Sequence, residues 1–354
     1  MNSSFRMFPS AALVLTGALT AQGCGDGRHF ERDIESSDPP ETSGSSTGDS
    51  SGGGAAGPEV SEGSLELGEV WGEGMNLEVS GIRWAADGEI EMVLGAVDPE
   101  THAPLDGIDG RNFAFAEDDQ DLGAEVLFEV SREQNLRVAL VLDLSRSMLS
   151  SNAVEPLQSA ARGLLDAVPS GSEVALVQFA TGYELVRDFT GDTAALADDV
   201  ESLAPAEDRT GQFTNLWGAL SYAGSLFDDG DSDSAGQGRV VVAFTDGRDN
   251  VAETDATATR SALTEAGVLV YAVGLGSELD RDGLTALAGE TRFAETTRPQ
   301  ALGPIFDDIG RRLGQLVRLK YTTPKQHGRH TLTVKIETAD GRRRGGFDLA
   351  FTLE

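Results

Sequence analysis

The apolar and polar positions change rhythm twice along the chain. In "EIEMVLGAV" (Glu89–Val97), Ile90, Met92, Leu94 and Ala96 fall on one face. That alternation is the mark of a half-buried strand. An Asp87-Gly88 pair just ahead of it predicts a hairpin turn. "NFAFAE" repeats the alternation with Phe113 and Phe115, and "AEVLFEV" (Ala124–Val130) reads as a further strand. From Leu136 the alternation gives way to unbroken apolar runs: "VALVLD", "EVALVQFA" (Glu173–Ala180), "RVVVAFTD" (Arg239–Asp246) and "GVLVYAVGLG" (Gly267–Gly276). Runs of this kind suit parallel strands covered on both faces. Helix-length segments lie between them: "AVEPLQSAARGLLDAV", "TNLWGALSYAGSLF" and "TDATATRSALTEAG", the last stopping at Gly267. A final helix is predicted over "PQALGPIFDDIGRRLGQL", with Ile305, Ile309, Leu313 and Leu316 on one stripe, or starting at Gly303-Pro304. The fold class is therefore α/β, a doubly wound, mostly parallel sheet spanning residues 136–318.

The second change of rhythm comes after this region. "TLTVKIE" puts Leu332, Val334 and Ile336 on one face, and "GFDLAFTLE" does the same with Phe347, Leu349, Phe351 and Leu353. Two such strands at 319–354 cannot stand alone, and the β-rich segment 65–135 also needs partners. One β-sandwich built from both flanks, with the α/β domain inserted, is the favoured arrangement. Two separate small β modules are the alternative.

The amino-terminal residues are of another kind. Arg6, the short apolar run "AALVLTGALT" (Ala11–Thr20) and "AQGC" form a basic region, an apolar stretch too short to span a bilayer, and a small-residue cleavage site. The pattern resembles a bacterial lipoprotein signal over residues 1–23, which makes Cys24 the lipidated residue. Ala21 stands where such signals usually have leucine, and ordinary secretion is the alternative. Residues 24–64 are rich in Ser, Gly and acidic residues, and "ETSGSSTGDSSGGGAAGPE" has too little apolar surface to offset its ordering entropy. It reads as a tether between a lipid anchor and the folded region, at the cell envelope, with the outer membrane or surface favoured.

Charge narrows the partners. The 354-residue chain carries a formal net charge of −32, which argues against a nucleic-acid ligand. Cys24 is the single cysteine, so disulfides do not hold the fold together.

In open α/β sheets, ligands bind beyond the carboxyl ends of the strands. After the first α/β strand stand Asp143, Ser145 and Ser147. Thr214 and Asn215 precede a helix, and Thr245, Asp246, Gly247, Arg248, Asp249 and Asn250 follow "RVVVAF". Two carboxylates and three hydroxyls are hard oxygen donors. They suit Mg²⁺ or Mn²⁺, and the lack of a neighbouring His or Cys argues against zinc at this place.

These motifs, "DLSRS" (Asp143–Ser147), Thr214 in "GQFTNLWGAL" and Asp246 in "VVVAFTDGRDN", resemble the metal-ion-dependent adhesion site (MIDAS) of von Willebrand factor A domains. The resemblance covers about half the chain, with all five positions in order. It implies that Ser145, Ser147 and Thr214 contact the metal directly. Asp143 and Asp246 hold it largely through water. It also implies a protein partner that offers an Asp or Glu carboxylate. Arg146 and Phe213 stand where the family often has glycine. The segment Gly95–Gly123 looks like the Ig-like β segment that precedes such domains in some bacterial surface proteins, which favours the insertion model.

The functional expectation is a metal-dependent protein-binding module, not an enzyme, with no small-molecule substrate. A metal-independent structural or assembly component of the envelope is the alternative. His29, His102, His327 and His330 lie away from every motif, which removes histidine-based catalysis. "DDGDSDS" (Asp228–Ser234) spaces Asp229, Asp231 and Asp233 like a calcium loop. It lacks the following glycine and the closing glutamate, so it reads as a solvated loop.

Overall fold

The computed structural model of the chain describes residues 62–85, 89–122, 128–132, 135–205, 211–227, 237–251, 254–325 and 327–353. Cys24 with its leader and residues 24–61 of the tether, the Asp87-Gly88 pair, the whole of 124–127 and the Asp229–Asp233 spacing lie outside the described residues, while Glu62–Ser64 belong to the first strand. Strands precede the α/β region as β1 (Glu62–Glu73), β2 (Asn76–Trp84), β3 (Glu89–Val97), β4 (Phe113–Glu117), β5 (Gln120–Asp121) and β6 (Phe128–Arg132). The α/β region holds β7 (Leu136–Asp143), α1 (Ser147–Ser150), α2 (Val154–Ala167), β8 (Glu173–Phe179), β9 (Tyr183–Thr190), α3 (Thr193–Ser202) and α4 (Leu216–Ser225). It continues through β10 (Gly238–Thr245), α5 (Ala256–Glu265), β11 (Leu269–Leu275), α6 (Arg281–Ala288), β12 (Phe293–Thr296) and α7 (Leu302–Leu313). The chain ends in β13 (Val317–Thr322), β14 (Gly328–Glu337) and β15 (Arg344–Leu353).

The α/β sheet runs β12-β11-β10-β7-β8-β9. Its pairs are parallel except β8 with the edge strand β9. The apolar runs become β7, β8, β10 and β11. All eight residues of β7 are buried. Its side chains alternate between two cores. Val138, Leu140 and Leu142 pack with α2 and α7, while Ala139 and Val141 pack with α4. Burial of each such aliphatic side chain contributes roughly 1.5–3 kcal/mol. The half-buried β9 and the short β12, α3 and α6 were not marked by periodicity.

The final helix begins at Leu302, after a single 3-10 turn at Pro299–Ala301. Of its expected stripe, Ile309, Leu313 and the following Leu316 are buried, while Ile305 is half-buried beside Leu302 and Phe306.

The flanks form two antiparallel sheets, β1-β15-β14-β4-β5 and β2-β3-β13-β6, each built from both sides of the insertion. One core joins them. Ile90, Met92 and Leu94 of β3 and Leu319 and Tyr321 of β13 meet Leu332, Val334 and Ile336 of β14 and Phe347, Leu349 and Phe351 of β15. β3 differs from a half-buried strand, because its other face is covered too. Val93 enters the α/β core, and Glu91 is buried against Arg83 (2.6 Å) and Lys320 (3.0 Å). Gly81–Arg83 and Glu91–Val93 line one cleft with Gly238, Arg239, Ala266 and Gly267. The sandwich thus meets the amino ends of the parallel strands.

Gly267 is a contact point of this junction. Its φ is +67°, and a Cβ there would stand 2.8 Å from the Cα of Gly81. Left-handed backbone and a backbone overlap both oppose a side chain. Gly267→Ala should cost about 1–3 kcal/mol of stability, read as a lower urea midpoint. An unchanged midpoint would mean that the two surfaces are not in register at this point.

Candidate functional site

The site lies above β7 and β10, at the carboxyl end of the sheet. The chain leaves β7 towards β8 on one side and β10 towards β11 on the other, so this gap is the topological switch point. Asp143 is the last residue of β7 and has no solvent exposure. Its Oδ1 accepts the backbone N–H of Ser145 at 2.8 Å, and its Oδ2 accepts the hydroxyl of Thr245 at 2.7 Å. The loop is fixed on both flanks. Leu144 N–H donates to the Phe179 carbonyl at 2.7 Å and Arg146 N–H to the Gly211 carbonyl at 2.7 Å. Ser147 then opens the single turn of α1.

The two serine hydroxyls converge on Asp246. Ser147 Oγ lies 2.6 Å and Ser145 Oγ 3.4 Å from the same Asp246 Oδ1, and the hydroxyls are 2.9 Å from each other. Ser145 is buried, Asp246 half-buried and Ser147 exposed, so the cluster opens towards solvent along Ser147.

Thr214 joins through the backbone. Its N–H donates to Asn250 Oδ1 at 2.8 Å, and Asn250 N–H donates back to the Thr214 carbonyl at 3.0 Å. Its hydroxyl stands 3.5 Å from where a Cβ of Gly247 would be, which brings it against the Asp246-Gly247 turn. Asp143, Ser145, Ser147 and Asp246 are therefore linked side chain to side chain or to backbone, with Thr214 seated beside them. Arg146 and Phe213 are exposed at the rim.

Three further residues of "TDGRDN" hold this arrangement, in roles that no motif marks. Thr245 feeds Asp143, Asn250 clamps Thr214, and Asp249 accepts the N–H of Trp217 at 2.9 Å in the first turn of α4. Their cue was present in the run of turn-forming polar residues after β10.

Burial, and then the nearby Asp246 charge, push the Asp143 carboxyl up to about 6. Burial also raises Asp246, against the hydroxyls of Ser147 and Ser145. Two crowded carboxylates with hydroxyl neighbours form an anionic, all-oxygen donor set that fits a hard divalent cation. Such an ion would satisfy the charge that the fold concentrates here. Asp143, Ser145, Ser147, Thr214 and Asp246 are the residues that would hold it.

Residues 138–307 match the von Willebrand factor type A domain family. The chain therefore contains a von Willebrand factor type A domain, framed by the antiparallel sheets described above. Solved structures similar to the chain include proximal thread matrix protein 1 of the mussel byssus, at 20% identity over 53% of this chain and 49% of that one, with a TM-score of 0.46. The chain thus spans about half the length of the mussel protein. A further structure of that protein has a zinc-occupied MIDAS motif. A von Willebrand factor type A protein from Catenulispora acidiphila is 13% identical over 79% of this chain and 71% of its own, with a TM-score of 0.46. The ArnB paralog VWA2 of Sulfolobus acidocaldarius is 12% identical over 78% and 75%, with a TM-score of 0.41. No curated protein matches the chain.

The raised carboxyl of Asp143 has a stability consequence. Its folded value lies above its unfolded value of about 4, so its contribution is full below pH 4 and is lost as pH rises through about 6. In EDTA, wild type should lose roughly 2–3 kcal/mol relative to Asp143→Asn between pH 4 and pH 7. Parallel stability curves for the two proteins would show that Asp143 does not carry this charge.

Proposed function

We propose that the protein is a divalent-cation-dependent protein-binding module, held at a bacterial cell envelope by a lipid on Cys24. The observation that carries the reading is the convergence of the Ser145 and Ser147 hydroxyls on Asp246, above the buried Asp143, at the switch point of the sheet. Asp143, Ser145, Ser147, Thr214 and Asp246 hold Mg²⁺ or Mn²⁺. Neutral hydroxyls leave part of the ion's charge uncompensated, and the opening beside Ser147 admits a carboxylate of the partner. The partner supplies an Asp or Glu side chain, and Arg146 at the rim adds a second cationic contact. Asp143 and Asp246 are committed to the cation and Asp249 to the Trp217 N–H, which supports a binding rather than a catalytic role.

Calorimetric titration with Mg²⁺ or Mn²⁺ should give one site that Asp143→Ala weakens at least tenfold, about 1.4 kcal/mol. Capture of envelope proteins should be lost in EDTA. Equal affinity in both proteins would remove the site assignment. Capture that persists in EDTA would favour the scaffold role.

The leader and tether support the anchoring half of the reading, and among the described residues no helix is long and apolar enough to cross a membrane. Cys24→Ser should move the protein from the membrane to the soluble fraction, as read by fractionation and blotting. Retention in the membrane would show that another segment does the anchoring.

A further inference from the structure

A second group of ligating side chains sits on the β-sandwich, away from the von Willebrand factor type A domain. Glu117 closes β4, Asp118 opens the turn to β5, and His330 lies on the neighbouring β14. Their ligating atoms all lie within 4.8 Å of one another. His330 Nδ1 is 2.8 Å from Asp118 Oδ2 and 4.0 Å from Glu117 Oε1.

The imidazole makes this more than an acidic cluster. His330 Nε2 is 3.0 Å from the carbonyl of His327, which can only accept. Nε2 therefore carries a hydrogen. Nδ1 is left facing two carboxylate oxygens, so three groups direct lone pairs at one small volume. A positive centre belongs there, either a proton on Nδ1 or a metal ion.

The remaining capacity of each ligand is already fixed. Asp118 Oδ1 accepts Thr331 N–H at 3.0 Å, which leaves Oδ2 for the site. Glu117 accepts the Tyr321 hydroxyl at 2.6 Å and the Thr323 hydroxyl at 2.8 Å. Outer hydrogen bonds of this kind orient metal ligands. Glu117 is buried and the His330 side chain is 12% exposed, while Asp118 is open to solvent at 38%. An ion has a way in on the Asp118 side, with room for water ligands.

Tetrahedral coordination with bonds of about 2.0–2.1 Å places ligand atoms about 3.3 Å apart. The separations of 2.8 and 4.0 Å bracket that value. Two carboxylates neutralise a divalent ion, and the imidazole nitrogen selects a borderline transition ion over Mg²⁺ or Ca²⁺.

We propose that Glu117, Asp118 and His330 bind Zn²⁺, which ties the β4–β5 turn to β14. The site is independent of the cation site above β7. The test uses the full chain carrying Asp143→Ala, titrated with Zn²⁺ against a chromophoric chelator, beside the wild-type chain titrated with Mg²⁺. The expected result is one zinc per chain, weakened at least tenfold by a further His330→Gln. Zinc should also raise the Tm of the Asp143→Ala protein and leave that of the double variant unchanged. Circular dichroism without metal checks that both variants fold, and Glu117→Gln replaces His330→Gln if the latter does not. Equal zinc affinity with and without His330, or no zinc bound at all, overturns the proposal. The Mg²⁺ arm reports on the other site alone, so the two readings fail separately.

Discussion

A carboxylate sealed from water at the end of the central strand is the constraint on which this architecture turns. Asp143 has no exposure, and an isolated charge there would cost several kcal/mol. The fold answers with two donors from different segments, the backbone of Ser145 and the hydroxyl of Thr245. The first bends the chain after β7 into the loop that carries the serines. The second locks the end of β10 to the end of β7, which places Asp246 over those serines. The geometry of the whole site therefore follows from satisfying one buried group.

The donors do not satisfy it completely. The carboxyl is held up at about 6, and burial and a second carboxylate are the reasons. A protein that needed only stability would bury a neutral residue at this point. Keeping two acids close, with hydroxyls and an opening, stores unfavourable charge that a cation relieves. The same logic recurs on a smaller scale at Glu117, where two hydroxyls and an imidazole surround a buried acid.

The central part of the fold was legible because its strands are buried on both sides. Runs such as "VALVLD" and "RVVVAF" admit few other readings, and β7, β8, β10 and β11 follow them closely. The half-buried β9 and the short β12 have no comparable signature, since edge strands mix polar and apolar residues, whereas β13 does alternate, with Val317, Leu319 and Tyr321 inward. The alternation in β3 predicts one buried face, yet Val93 and Glu91 face a second neighbour that only the tertiary arrangement supplies. At the site, the hard-oxygen residue types are visible in the motifs, and the fold brings Asp143, Ser145, Ser147 and Asp246 together. The supporting roles of Thr245 and Asn250 have no such mark, because hydrogen bonds to residues 102 and 36 positions earlier leave no local pattern. His330 lies far from any motif in sequence, and only β-pairing brings it beside Glu117 and Asp118.

The way the inserted domain joins the sandwich has its own consequence. β6 ends at Arg132 and β13 begins at Val317, and these two residues face each other as antiparallel partners. The polypeptide leaves one sheet and comes back to it at the same doorstep, some 180 residues later. For the sandwich, the entire α/β domain is an oversized hairpin loop. The ladder beneath it sets the spacing of its two ends, while Val93 and the Gly81–Gly267 contact tie its base to the sandwich. The β framework is thus a socket, and the α/β head is seated in it.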